Sequence, residues 1–218
     1  MLMITRYGLG IVVGSWVVFA VFLVLAIWTR LPAVIAFAVL VGIFSLFNMY
    51  FFRDPERVIP ENPDAIVSPA DGKVVQIVRE REENFFGKEV TRVSIFLSVF
   101  NVHVNRIPIS GRVTYFRYIP GKFFAAFKEK ASLENEQTAI GIQDEQGRRV
   151  LFKQIAGIIA RRIICEVREG DMVQKGERMG MIRYGSRVDV FFESDSVELN
   201  VSVGDKVKGG ETIIGVFR

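Results

Sequence analysis

His103 is the chain's single histidine, Cys165 its single cysteine, and Ser186 stands directly after Gly185 in the stretch MIRYGSRVDVFF, residues 181 to 192. One imidazole rules out a metal site built from several histidines, and one cysteine with one histidine is too few for a structural zinc, so no metal is expected. A lone cysteine forms no disulfide within the chain and fits a reducing compartment; inside RRIICEVRE it reads as a core residue. A serine, histidine and acid set would need a nucleophile beside the imidazole of His103 in SVFNVHVNRIP, and the acid available in a turn is Asp71 of SPADGK. Each has a plainer reading beside it. A histidine on an apolar strand is commonly a packed residue, and Asp-Gly and Gly-Ser are both ordinary turns. No histidine lies near Ser186 in sequence, so only the fold can bring one to it.

The elements available for that task are of two kinds. Residues 7 to 28 and 31 to 52 each run 22 positions without a charge, about the length a helix needs to cross the hydrocarbon core. Thr29 and Arg30 alone separate them and Pro32 suits a first helical turn, so residues 1–52 are expected to form a transmembrane helical hairpin. A cleaved signal peptide is the alternative for the first segment, but its apolar run is too long and no small-residue cleavage site precedes the second. Arg6, Arg53 and Arg57 outside the hairpin, against Arg30 in its turn, place both outer ends in the cytoplasm and the protein in the cell membrane. Of the 28 basic residues two lie in 1–52, and none of the 24 acidic ones does, so the remainder carries 26 against 24. That balance is no nucleic-acid footprint, and it is compatible with anionic headgroups.

Residues 53–65, RDPERVIPENPDA, place three prolines among charges and read as an extended linker. From 66 to 218 strand signals dominate, in IVSPADGKVVQIV, TRVSIFLSVFNVHV, SGRVTYFRYI and SVELNVSV. One short helix is expected over 121–137, with Phe123, Phe124 and Phe127 either packed on the core or resting on the bilayer interface. GDMVQKGERMGMI from Gly170 and GDKVKGGETIIGV from Gly204 align as an internal repeat, and SPADGKVVQI at Ser68 resembles one more such unit. Paired Gly-Asp turns of this kind suit a mainly β domain resembling a barrel-sandwich hybrid of the lipoyl or biotinyl type. Such a fold does not by itself specify a function.

FFRDPERVIPENPDAIVSPADGKVVQI, FNVHVNRIPISGRV and the late YGS before a short C-terminal piece together resemble the phosphatidylserine decarboxylase family, in its compact, membrane-anchored form, over most of residues 51 to 218. The resemblance implies a proenzyme that cuts itself at Gly185-Ser186, giving chains 1–185 and 186–218 that stay together as a heterodimer, with room for a higher oligomer. Physically, a hydroxyl held against its preceding carbonyl attacks it once a base takes its proton, and a glycine lets the backbone bend there. Elimination from the resulting ester, with loss of ammonia, leaves Ser186 as a covalent pyruvoyl group. Pyruvate is thus the cofactor implied, an electron sink built from the chain itself. It condenses with the amine of the membrane phospholipid substrate to a Schiff base, carbon dioxide leaves, and phosphatidylethanolamine is released. His103 is implied as the base and as the acid that reprotonates the product carbon, with Asp71 holding its other ring nitrogen. Two positions depart from the pattern. Arg106 stands where some members have a second histidine, so either His103 alone serves both steps or Arg106 takes over carboxylate or phosphate binding, and Arg187 follows the serine where a threonine is frequent.

A membrane-anchored adaptor or carrier without catalysis is the alternative. Adaptors with this architecture carry a long helical hairpin, and no long heptad stretch is present; Lys73 lacks the neighbours of a modified lysine.

Overall fold

The computed structural model describes residues 3–122, 135–157, 163–183 and 186–218. The chain divides into two compact units, Met1–Pro55 and Glu56–Arg218.

In the first unit α1 (Leu9–Thr29) and α2 (Pro32–Phe51) are the two apolar helices expected, each long enough to span about 30 Å at 1.5 Å per residue. Proline opens α2, and Arg30 closes α1 in the left-handed conformation, its N–H bonded to the Ala26 carbonyl. The helices pack through edge-on aromatic contacts such as Phe22 with Phe37. Thr5 N–H donates to the Phe52 carbonyl at 2.9 Å and Asp54 N–H to the Met3 carbonyl at 2.7 Å, so the two outer ends lie side by side as a hairpin requires.

The second unit is all strand among its described residues. It contains β1 (Ala65–Val67), β2 (Gly72–Glu82), β3 (Lys88–Leu97), β4 (Val104–Arg106), β5 (Gly111–Ile119), β6 (Gln137–Gln143) and β7 (Arg149–Ala156). These are followed by β8 (Ile163–Cys165), β9 (Met172–Val173), β10 (Arg178–Ile182), β11 (Ser186–Glu193), β12 (Val197–Leu199), β13 (Lys206–Val207) and β14 (Ile213–Phe217). An eight-stranded antiparallel sheet runs β13-β2-β3-β11-β7-β6-β5-β9, and two three-stranded sheets, β1-β14-β12 and β4-β10-β8, complete the unit. Bulges after Val74 and after Val113 bend the large sheet around one core, in which Val93, Ile95, Ile140, Phe152, Val188, Val190 and Phe192 all point inward. Of the helix expected over 121–137, residues 123–134, with Phe123, Phe124 and Phe127, lie outside the described residues; Gln137 already belongs to β6.

Strand register reveals a two-fold repeat. Gly72-Lys73-Val74 with its bulge corresponds to Gly111-Arg112-Val113 with its bulge. Val74 exchanges backbone hydrogen bonds with Gly204 and Asp205 as Val113 does with Gly170 and Asp171. The two Gly-Asp hairpins therefore occupy equivalent places on opposite edges of the sheet, and Gly170 (φ 97°) and Gly204 (φ 106°) supply the left-handed turn that each needs. The segment at Ser68 is not a third copy. SPADGKV matches IPISGRV, the strand entry on which each hairpin docks, because a Gly-Asp turn needs a strand to receive it. One half of the repeat, β4 to β10, is continuous; the other is split into β1–β3 and β11–β14, and the chain returns to it at Ser186.

The glycines of the two inner sheets also correspond: Gly180 faces Asn105 as Gly215 faces Ile66. A Cβ on Gly180 would meet the Ile164 carbonyl oxygen of the neighbouring strand. Gly180→Ala is therefore expected to lower the stability of the β unit by about 1–3 kcal/mol, as overpacking does, measured as a drop in the melting temperature of its strand signal. Cys165 packs against the core as expected, and burial pushes its thiol up to about 11, so it is a neutral thiol at physiological pH.

Candidate active site

Ser186 opens β11, the strand between β3 and β7, opposite Leu97 on one side and Ala156 on the other. Strand alternation puts its side chain on the face of Val188, Val190 and Phe192, toward the core. The residue is fully buried, and its hydroxyl has no hydrogen-bond partner. A buried hydroxyl without a partner costs about 1–3 kcal/mol, so a reason beyond packing is needed for serine here. Gly185 lies outside the described residues.

His103 is also fully buried, at the entry to β4. Its Nδ1 lies 3.0 Å from the Asn101 carbonyl oxygen. A carbonyl only accepts, so in a neutral ring Nδ1 carries the proton and Nε2 the lone pair, the tautomer a general base needs. The carbonyl is itself held in place, because the Ser98 N–H and hydroxyl both donate to the Asn101 side chain, at 2.9 and 2.8 Å. The His103 carbonyl accepts a hydrogen bond from Ile182 N–H, and Ser186 follows Ile182 by four steps of chain, about 14 Å at full extension. The repeat sharpens this placement. The positions equivalent to His103 and Ser186 in the other half are Asp64 and Arg148, whose side chains form an ion pair at 2.6 Å.

Asp71 has different company from that expected. Both of its carboxylate oxygens accept from Arg57 Nη2 at 2.9 Å, and Oδ1 also accepts from Gly209 N–H at 2.8 Å. In the other half Ser110 Oγ accepts from Lys175 N–H in the same way, so tying down the adjoining turn is a part of the Asp71 position. Arg57, from the segment read as a spacer, is buried and needs a carboxylate, which draws that segment onto the β unit. Arg106 is buried, donates through Nη1 to the Gly176 carbonyl at 2.9 Å, and packs its stem where a Gly210 side chain would otherwise sit. On the opposite face of β11, Arg187 and Asp189 pair at 2.8 Å and Arg92 reaches both Asp189 and Glu80, which stiffens the strand that carries Ser186.

No cluster of metal-ligating side chains occurs among the described residues. The family model for phosphatidylserine decarboxylase matches residues 44–215, most of the chain. The chain belongs to the phosphatidylserine decarboxylase family. Among similar proteins, a phosphatidylserine decarboxylase proenzyme of Desulfotalea psychrophila is 45% identical over 90% of this chain and 91% of its own. One of Syntrophus aciditrophicus is 50% identical over 79% and 81%, and one of Chlorobium chlorochromatii is 47% identical over 99% and 100%.

For a phosphatidylserine decarboxylase family member, Ser186 is the residue to test against a cofactor made from the chain. Its hydroxyl is buried and unpartnered at the head of a strand hydrogen-bonded on both sides, so a carbonyl group formed there would be rigidly held and shielded from water. The residues present fit the group. The sequence reading missed three neighbours: Asn101, Asn105 and Gln154. The readable signal for Gln154 was the alternation in Phe152, Gln154, Ala156, which sets an amide at an inward position of a core strand.

Proposed function

We propose that this chain is a proenzyme that cuts itself between Gly185 and Ser186 and then decarboxylates phosphatidylserine to phosphatidylethanolamine. The observation that carries the proposal is the buried, unpartnered Ser186 hydroxyl, with the backbone of His103 bonded to the strand that leads into it. His103 Nε2 takes the hydroxyl proton, Oγ attacks the Gly185 carbonyl carbon, and the peptide C–N bond gives way to an ester as His103 hands that proton to the departing Ser186 nitrogen. Loss of the Ser186 α-proton then forms the Cα=Cβ double bond, breaks the Cβ–Oγ bond and leaves Gly185 with a free carboxylate; hydrolysis of the dehydroalanine at Cα, through its imine form, releases ammonia. The pyruvoyl group so formed supplies a ketone that condenses with the substrate amine and draws electrons from the bond to the carboxylate. The chain's own residues do the rest. The Asn101 carbonyl favours the basic tautomer of His103, the buried layer around Ser186 excludes water, and His103 returns a proton to the substrate carbon. Asp71 supports the site through the Gly209 turn and Arg57, and Arg106 through its grip on the Gly176 turn.

The helical hairpin supports a membrane role, and the arginine distribution favours a cytoplasmic β unit. A tether of this kind raises the local concentration of headgroups. Deleting residues 1–52 is expected to lower turnover of liposomal phosphatidylserine at least tenfold while changing turnover of a dispersed short-chain analogue little. Equal rates on liposomes for both forms would remove the tether from the reading. The experiment for the reaction itself is denaturing electrophoresis of the purified protein together with carbon dioxide release from phosphatidylserine. Two chains and release are expected; one chain with no release would overturn the proposal.

A further inference from the structure

Gln154 and Asn105 are both fully buried and bonded to each other, Gln154 Nε2 donating to Asn105 Oδ1 at 2.9 Å. That bond uses one end of each amide. Asn105 Nδ2, a donor, and Gln154 Oε1, an acceptor, have no hydrogen-bond partner. Half-satisfied buried amides are costly, and the fold contains its own control for whether they are needed. In the other half of the two-fold repeat, the position of Asn105 is Ile66 and that of Gln154 is Phe192, and both are ordinary members of the apolar core. The architecture therefore closes with hydrocarbon at these places, and packing does not explain the amides.

Their position suggests what does. Gln154 is opposite Val188, so its side chain lies on the core face of the sheet, one inward step from Ser186 on the neighbouring strand. Asn105 follows His103 by two residues, in β4, and both are fully buried. The amides thus stand two residues from His103 on one segment and two residues from Ala156, the partner of Ser186, on the other. The free groups are one donor and one acceptor. An α-amino acid has the complementary set: a carboxylate that accepts and an amine that donates.

We infer that Asn105 and Gln154 form the subsite for the serine headgroup, Asn105 Nδ2 donating to its carboxylate and Gln154 Oε1 accepting from its amine. The inference rests on the decarboxylase reading and adds the residues that recognise the substrate in it. A neutral amide suits the task better than an arginine. The carboxylate loses its charge as carbon dioxide leaves, and a guanidinium would stabilise the bound ground state more than the transition state. An amide orients the carboxylate with less of that penalty. The product, an ethanolamine headgroup, has nothing for Asn105 to hold, which favours its release.

Asn105→Leu and Gln154→Met, each close in size to the residue replaced, are the variants to compare with the wild-type full-length protein in detergent. Both are expected to mature into two chains, because neither residue is placed in the cleavage step, and to raise KM for phosphatidylserine roughly ten- to a hundredfold, as loss of a hydrogen bond to a charged group does. Binding is read separately on mature protein whose ketone has been reduced with borohydride, so that no turnover occurs. There Asn105→Leu is expected to weaken glycerophosphoserine at least tenfold and leave glycerophosphoethanolamine unchanged, whereas Gln154→Met weakens both. A merely structural role would not separate the two headgroups. Should Asn105→Leu fail to accumulate, Asn105→Asp keeps the acceptor for Gln154 Nε2 while replacing the amide donor, and the same selective loss is expected of it. Unchanged KM and unchanged headgroup binding in variants that mature normally would overturn the subsite while leaving the decarboxylase reading intact. A wild-type protein that neither matures nor releases carbon dioxide would overturn that reading instead.

Discussion

Ser186→Ala is expected to yield a single uncut chain without decarboxylase activity. The expected loss is complete, because the substitution removes both the nucleophile of the cleavage step and the atom skeleton from which the ketone is made. It is also a clean test. The Ser186 hydroxyl has no partner to lose, so its removal relieves a buried unsatisfied group, and the variant should melt at or slightly above the wild-type temperature. In the wild type, denaturing electrophoresis should separate residues 1–185 from 186–218, the shorter chain with a blocked N terminus. Without denaturant the two should stay together. The short chain supplies β11, hydrogen-bonded to β3 and β7, and β14, between β1 and β12, so its release would dismantle two sheets. A Ser186→Ala chain that remains intact and still releases carbon dioxide would sink the mechanism.

The legible parts of this fold were those written in local pattern. Charge-free runs gave both helices to within a few residues, since nothing in them competes with the apolar signal, and the Gly-Asp turns announced the two edge hairpins because a left-handed turn there demands glycine. The segment at Ser68 resembles the hairpins for a physical reason: a strand entry and a hairpin turn both set a glycine beside an aspartate, in opposite order, and the register tells donor from receiver. Site geometry was less legible. Ser186 and His103 were readable as residues, but the partner of the imidazole is a backbone carbonyl, which every residue possesses and no sequence advertises. Arg57 looked like a linker charge until its burial against Asp71 became visible. Asn105 and Gln154 were hidden in strands otherwise apolar, where a single amide reads as noise unless the equivalent position in the repeat is known to be Ile66 or Phe192.

His103→Ala is expected to slow maturation by a factor on the order of a hundred to ten thousand, the usual contribution of a positioned general base, and to abolish decarboxylation in whatever fraction does mature. Time courses of chain cleavage after synthesis would measure the first effect directly. The companion variant Asp71→Asn separates two ways of holding the ring. If Asp71 oriented His103, its amide would favour the wrong tautomer, and the worked case of a catalytic triad gives a loss on the order of ten-thousandfold. The described contacts place the Asn101 carbonyl at Nδ1 and Arg57 at Asp71, and an asparagine can still accept from Gly209 N–H. Asp71→Asn should therefore mature more slowly than wild type but far faster than His103→Ala, with a lower melting temperature, because a buried Arg57 loses its nearest charge and keeps only Glu211 at 3.6 Å. Cleavage of Asp71→Asn as slow as that of His103→Ala, at unchanged stability, would return the orienting role to Asp71, and normal cleavage of His103→Ala would remove the imidazole from the mechanism.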